Sequence, residues 1–107
     1  MGLSFKENCP DIRNTKVVDL IKRLNEHNIN TFIYDPVVDK EEAKNAYSLD
    51  VLDSYPKDKN ITAIVIAVAH DIFKEIENKI WKDFIQKGII VFDIKGILSK
   101  DIDCLRI

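Results

Sequence analysis

Lys6 and Arg13 bracket a polar stretch, Glu7-Asn8-Cys9-Pro10-Asp11-Ile12, in which no glycine loosens the chain. Before it, Leu3-Ser4-Phe5 reads as the last residues of a buried strand. After it, Asn14-Thr15-Lys16 reads as the first turn of a helix. A loop at the carboxyl end of a strand is where open α/β sheets hold their ligands. The fork of Arg13 suits a pyrophosphate, and a helix N-terminus beside it adds partial positive charge. Lys6, at the sheet rim, offers a compact point charge to a phosphate or sugar oxygen. Lys95 leaves a later apolar run beside Gly96, which lets a ligand approach the backbone. The three cations predict a phosphate-bearing partner. The plainer alternatives are lysines that are simply solvated and an Arg13 paired locally with Asp11 or Glu7.

Other candidates carry less chemistry. Asp35 ends the second predicted strand, where nicotinamide-binding folds place a ribose-binding acid, but the accompanying glycine fingerprint is absent. Asp35-Pro36 reads as a turn. His70-Asp71 reads as a strand-end turn and helix cap rather than a proton shuttle. Cys9 precedes a proline, has no histidine near it in sequence, and reads as a loop thiol. No metal-ligating cluster, no Ser/His/Asp arrangement and no catalytic residue is legible.

The elements that must position the cations follow from periodicity. Val17, Val18, Leu20, Ile21 and Leu24 form one apolar stripe of a helix from Asn14 or Thr15 to His27, capped by Asn14 or Thr15. Asn30 to Tyr34 is β-rich. Asp39 caps a short helix from Lys40 to about Tyr47, with Glu41 and Glu42 in its first turn. Ser48 to Leu52 is a candidate edge strand, and Ser54 to Asn60 a polar connector. Ile61 to Ala69 is apolar on both faces, as a parallel strand covered from both sides must be. Helical segments over Ile72–Glu77 and Ile80–Lys87 bury Phe73, Ile76, Trp81, Phe84 and Ile85, and Gly88 stops the second. Ile89 to Phe92 is another buried strand, and Ile97 to Ile107 reads as irregular. Alternation of strands and helices implies right-handed β-α-β units around a parallel sheet. The predicted fold class is α/β, a three-layer Rossmann-like sheet with helices on both faces. The Phe5–Arg13 loop, the His70-Asp71 turn and Asp93–Gly96 then share one edge.

The chain has 107 residues, 46% hydrophobic and 32% charged, enough for one domain with a modest core. A net charge of −2 supplies no basic field of the kind nucleic acid recruits. No apolar run approaches the ~20 residues needed to cross a bilayer. No secretory leader is legible, and two cysteines without metal or redox spacing fit a reduced, cytoplasmic setting. Leu3–Phe5 leaves almost no room for a strand of the usual roughly five or six residues. The chain is therefore expected to be part of a longer protein, with its first central strand truncated.

The stretch from Gly2 to Lys16 resembles the segment that opens the C-terminal domain of the UDP-glucose/GDP-mannose dehydrogenase family. Within it, Lys6-Glu7-Asn8-Cys9-Pro10-Asp11-Ile12-Arg13-Asn14 resembles the branch that oxidises UDP-N-acetylhexosamines for surface polysaccharides. Tyr34-Asp35-Pro36, Ala67-Val68-Ala69-His70 and Phe92-Asp93-Ile94-Lys95-Gly96 match that branch in order and spacing, so the similarity spans nearly the whole chain. The resemblance implies an NAD-dependent oxidation of a sugar C6 hydroxyl to a carboxylate in two hydride transfers. It implies that Phe5, Lys6 and Lys95 contact the nucleotide-sugar and that Arg13 reaches the NAD site. Lysine at 95, where many relatives carry arginine, implies a point contact rather than a bidentate one. The family's NAD fingerprint and its catalytic cysteine and lysine lie outside this segment, and Cys9 is not that cysteine. Residues 1–107 would then be a single UDP-sugar-binding domain, inactive alone. Its partners would be a UDP-sugar, the rest of the dehydrogenase chain and further copies of the enzyme, with no nucleic acid or membrane. Loss of most of the central strand should leave strand edges open. The rival reading is a stand-alone receiver-like or flavodoxin-like module. A receiver needs clustered acids where Lys6 stands, and a flavin site needs a Ser/Thr/Gly loop that is absent.

Overall fold

A computed structural model describes residues 1–55 and 60–107. The elements run α1 (Val17–Glu26), β1 (Ile33–Tyr34), α2 (Lys40–Tyr47), β2 (Val51–Leu52), β3 (Ala63–Ile66), α3 (Asp71–Lys74), α4 (Asn78–Gln86), β4 (Ile90–Asp93) and β5 (Leu105–Arg106). All pairings are parallel: β1 with β2, and β3 with β4 with β5. The predicted α/β, Rossmann-like architecture is observed, with its strands in two open sheets, β1-β2 and β3-β4-β5.

The helices begin and end where side-chain chemistry dictates. The Thr15 hydroxyl accepts the Val17 N–H at the start of α1. α1 buries Val18 and Ile21 from its apolar stripe. The Asp39 carboxylate accepts the N–H groups of Glu41 and Glu42, capping α2 as expected. Ser48, in left-handed backbone at φ 57°, ends α2. Gly88, at φ 89°, ends the turn that follows α4.

Three expectations are narrowed. The strand expected over Ile61–Ala69 is ordered as strand only from Ala63 to Ile66, and Ala63 is exposed rather than covered. The helix expected over Ile72–Glu77 is a single turn, Asp71–Lys74, because its N–H bonds restart at Glu77 to make α4. The tail expected to be irregular contains β5, which lies against β4. Leu105 and Arg106 are both exposed, so no alternation marked them as a strand. The connector expected over Ser54–Asn60 lies largely outside the described residues.

Two apolar clusters hold the layers. Leu3, Ile12, Val18, Ile21, Ile33, Val38, Ala43 and Val51 pack around α1, α2 and the two-stranded sheet. Ile66, Trp81, Val91 and Ile102 pack around α4 and the three-stranded sheet. Met1 and Gly2 lie between the sheets. The Met1 amine donates to the Val65 carbonyl (2.7 Å) and the Met1 carbonyl accepts from Ala67 N–H (2.9 Å), the two-sided pattern of parallel strand pairing. The Gly2 N–H donates the other way, to the Tyr34 carbonyl (2.9 Å). A β-carbon at Gly2 would stand 2.6 Å from that of Val68, so only glycine fits at φ 96° there.

Candidate functional site

Leu3 and Ile12 are fully buried in the first apolar cluster, so both ends of the loop between them are pinned. The Phe5 N–H closes the loop further by donating to the Asp11 carbonyl at 2.7 Å. The Thr15 hydroxyl donates to the Leu3 carbonyl at 2.6 Å and ties the start of α1 to the strand end. This loop, α1 and the segment leaving β4 meet at one rim.

A pocket of about 280 Å³ opens there, lined by Ser4, Phe5, Lys6, Glu7, Thr15, Lys16, Val17, Ala67, Val68 and Lys95. Three of its walls carry a lysine: Lys6 from the loop, Lys16 from the N-cap of α1, and Lys95 from the turn after β4. Glu7 is the one acid among them. The three lysines are exposed and, like Lys22 and Lys100, form no ion pair among the described residues, whereas Lys40, Lys44, Lys74, Lys79, Lys82 and Lys87 each meet a carboxylate. Phe5 presents its ring at the same mouth, 56% exposed. The volume is just below the roughly 300–1,000 Å³ of complete small-molecule sites, which suits a wall that takes part of a larger ligand. Such an array can hold an anion by point charges reinforced by the helix terminus.

Of the residues expected at the site, Phe5, Lys6 and Lys95 are therefore brought together. Arg13 does not line this pocket. Its guanidinium is 82% exposed and makes a two-point contact with Asp11 at 3.0 Å for each nitrogen, and hydrogen bonding to Asp11 raises its pKa. The chain's three glycines form no phosphate cradle: Gly2 packs on Val68, while Gly88 and Gly96 stand in separate turns. These residues alone do not fit a dinucleotide.

Beneath the loop lies a network that sequence reasoning missed. Ser4, Asp35 and His70 are 1%, 2% and 0% exposed. One oxygen of Asp35, Oδ2, accepts the N–H of Leu3 (2.7 Å) and of Ser4 (3.2 Å) and lies 2.9 Å from His70 Nε2. Its other oxygen accepts the Val37 N–H. Burial pushes the Asp35 carboxyl up, but the Leu3 N–H, the His70 ring and the Val37 N–H outweigh it and hold the group below the usual range. The Ser4 hydroxyl donates to the Lys6 carbonyl at 3.0 Å and stands 3.2 Å from the same His70 Nε2. His70 Nδ1 accepts the Asn8 N–H at 2.9 Å.

A Ser/His/Asp grouping thus exists where none was legible, and Asp35-Pro36 and His70-Asp71 are more than turns. It is not a nucleophilic triad. Such a triad uses both ring nitrogens, one for the acid and one for the serine. Here both oxygens meet Nε2, Nδ1 is spent on Asn8, and no atom is open to a substrate. Asp93 is likewise consumed by main chain, accepting the N–H groups of Ile97 and Leu98. No cluster of three metal-ligating side chains occurs among the described residues.

Residues 1–100 match the UDP binding domain of the UDP-glucose/GDP-mannose dehydrogenase family. The chain belongs to that family. It is 42% identical to Protein CapL of Staphylococcus aureus over 94% of its own length and 23% of that protein's. It is 38% identical, over its full length and 25% of the relative's, to a UDP-N-acetyl-D-glucosamine 6-dehydrogenase of Pseudomonas aeruginosa. A protein of the same name from Salmonella typhi is 35% identical over the same shares. The chain thus spans about a quarter of the length of these curated relatives. In family terms, the three-lysine pocket lies in a UDP binding domain. No helix is long and apolar enough to cross a membrane among the described residues.

Proposed function

We propose that residues 1–107 are the nucleotide-sugar-binding domain of an NAD-dependent UDP-sugar 6-dehydrogenase, which oxidises the C6 hydroxyl of a UDP-hexose or UDP-N-acetylhexosamine to a carboxylate. The observation that carries this reading is the meeting of Lys6, Lys16 and Lys95 with the start of α1 around one small pocket. A diphosphate keeps its charge through the oxidation, so these contacts supply uniform binding and positioning rather than chemistry. Phe5, an exposed aromatic at the mouth, packs against the uridine or sugar face. The hexosamine branch is supported by the names of the relatives above. Arg13, exposed and outside the pocket lining, is the cation that faces NAD held by the remainder of the enzyme. The working protein is a longer chain, assembled from several copies, acting in the cytoplasm on a soluble nucleotide-sugar.

The same reading accounts for the slot between the sheets. Met1 and Gly2 bond to both β3 and β1, and upstream of them a cavity of about 1210 Å³ separates Ile33 and Tyr34 from Ala63 and Val65. We infer that a central parallel strand leading into Met1 fills it, its side chains meeting Leu20 and Leu24 of α1 on one face and Trp81 and Phe84 of α4 on the other. Receiver-like chemistry gains no support, because Asp35 and Asp93 already serve main-chain donors.

The test is a titration of the chain with UDP, followed by amide NMR. Shifts should concentrate at residues 4–7, 16–17 and 95. Lys6→Ala should weaken UDP roughly tenfold, the effect of losing one charge-assisted contact of about 1.4 kcal/mol. Shifts elsewhere, or equal affinity in Lys6→Ala, would discard the pocket as the diphosphate site.

A further inference from the structure

His70 does not line the pocket, yet it touches Ser4, which does, and its two ring nitrogens reach both sides of the loop that carries Lys6. Nδ1 accepts the Asn8 N–H, and Nε2 faces Asp35 Oδ2 and Ser4 Oγ. The Ser4 hydroxyl spends its proton on the Lys6 carbonyl, so toward His70 it can only accept. One hydrogen arrangement satisfies every group: the ring proton sits on Nε2, shared between Asp35 and Ser4, and Nδ1 keeps its lone pair for Asn8. A proton on Nδ1 instead would set two N–H groups against each other at 2.9 Å.

We propose that His70 is the positioning residue of the cation loop: through Ser4 on one side and Asn8 on the other, it fixes where Lys6 stands relative to Lys16 and Lys95. Asn8 makes the coupling stiff. Its side-chain oxygen also accepts the Asp71 N–H at 2.9 Å, so the residue grips the start of α3 twice. Its backbone is left-handed at φ 59°, a conformation asparagine tolerates and most side chains resist. Between these two anchors only Phe5, Lys6 and Glu7 remain, and the Lys6 carbonyl is itself held by Ser4. A three-residue span held at both ends has little backbone freedom, so the place where the Lys6 side chain leaves the loop is set by the buried ring. A lysine whose point of attachment is already fixed meets its anion without first ordering the loop that carries it. The proposal rests on Lys6 meeting the diphosphate.

The two amide replacements of histidine separate the two contacts. In His70→Asn the side-chain oxygen takes the place of Nδ1 and still accepts from Asn8, while the links to Asp35 and Ser4 are lost. In His70→Gln the side-chain amide nitrogen takes the place of Nε2 and still donates to Asp35, while Asn8 loses its acceptor. UDP should bind His70→Gln at least fivefold more weakly than His70→Asn, although His70→Gln keeps the buried contact to the acid. Ser4→Ala, which frees the Lys6 carbonyl without touching Asn8, should weaken UDP about threefold. Affinity in His70→Gln equal to the parent's, or unchanged affinity in Ser4→Ala, would overturn the proposal. If neither His70 variant folds, the Ser4→Ala titration and the nitrogen-15 spectrum of the parent decide. The parent should show His70 protonated at Nε2 alone and a slowly exchanging Asn8 amide; a proton at Nδ1 or a freely exchanging Asn8 would overturn it. Lys6→Ala run alongside keeps the cases apart. If that variant binds UDP like the parent, the diphosphate reading has failed. If it binds weakly while the His70 and Ser4 results are flat, only the positioning role has failed.

Discussion

Asp35→Asn is the sharpest probe of what holds the site together. The replacement conserves shape and removes the charge. If its oxygen turns toward Leu3, Ser4 and His70, three bonds survive as neutral ones, and the Val37 N–H faces an N–H₂ group. If the amide turns over, three donors lose their acceptor instead of one, so the first orientation wins. A bond to a charged partner contributes about 1.5–3 kcal/mol and a neutral one about 0.5–1.5 kcal/mol. Three such downgrades cost on the order of 3 kcal/mol, before any penalty at Val37. Against a total of roughly 5–15 kcal/mol, that is a large share of the fold's stability. Urea unfolding followed by the fluorescence of Trp81, the chain's one tryptophan and fully buried, measures it. The pH dependence checks the cause. The folded-state carboxyl titrates below its ordinary value, so its contribution is complete above about pH 3.9 and fades as pH falls through the lower folded value. The parent and the variant should therefore differ fully at pH 7 and converge in strong acid. A loss under about 1 kcal/mol at pH 7 would refute the charge-assisted account. So would a gap that persists undiminished in strong acid.

Arg13→Ala in the full-length enzyme should raise KM for NAD and leave KM for the UDP-sugar and the stability unchanged, since its ion pair is exposed. A rise in the UDP-sugar KM instead would move Arg13 to the other ligand. A five-residue apolar extension ahead of Met1 should raise the melting temperature and protect the Ala63 and Val65 amides from exchange; a proline at its centre should abolish both effects. Burial lowers the Met1 amine to about 6, so the unextended chain should gain stability as pH rises from about 6 to 8, where only the unfolded state stays protonated. The extended chain should lack that slope, and a slope of equal size in both would assign it to another group. The 107-residue chain with a UDP-sugar and NAD should form no NADH, and any sustained rise in absorbance at 340 nm above a chain-free blank would contradict a binding-only role.

Much of this was legible because periodicity and caps are local. The stripe of α1, the Asp39 cap and the apolar run of β3 depend on neighbours a few residues apart, and those elements stand where expected, give or take shortened ends. β5 was not legible, because two exposed residues carry no alternation. Lys16 was passed over because a lysine at a helix start opposes the usual preference for acids there. The buried Ser4–Asp35–His70 network depends on residues 31 to 66 positions apart, and no local pattern links them. A signal existed even so. Ser4, Asp35 and His70 each stand at the carboxyl end of an apolar run, and parallel strands side by side bring such ends to one height.

On the proposed reading, that geometry also lets a weakly charged domain hold an anion locally. The net charge of −2 offers no long-range attraction, and exposed lysines are screened within about 8 Å at physiological salt. Affinity must then come from having the charges already in place when the ligand arrives. A lysine cannot be rigid by itself, since its stem has four rotatable carbons. Only its point of attachment can be fixed. Lys16 is fixed by α1 and Lys95 by the Asp93-held turn after β4, whereas Lys6 sits in a loop with no regular hydrogen bonding of its own. The loop therefore needs an internal brace where the flanking elements do not. A buried imidazole, with one donor and one acceptor fixed on a rigid ring, spans the strand end and the far arm of the loop in a single residue.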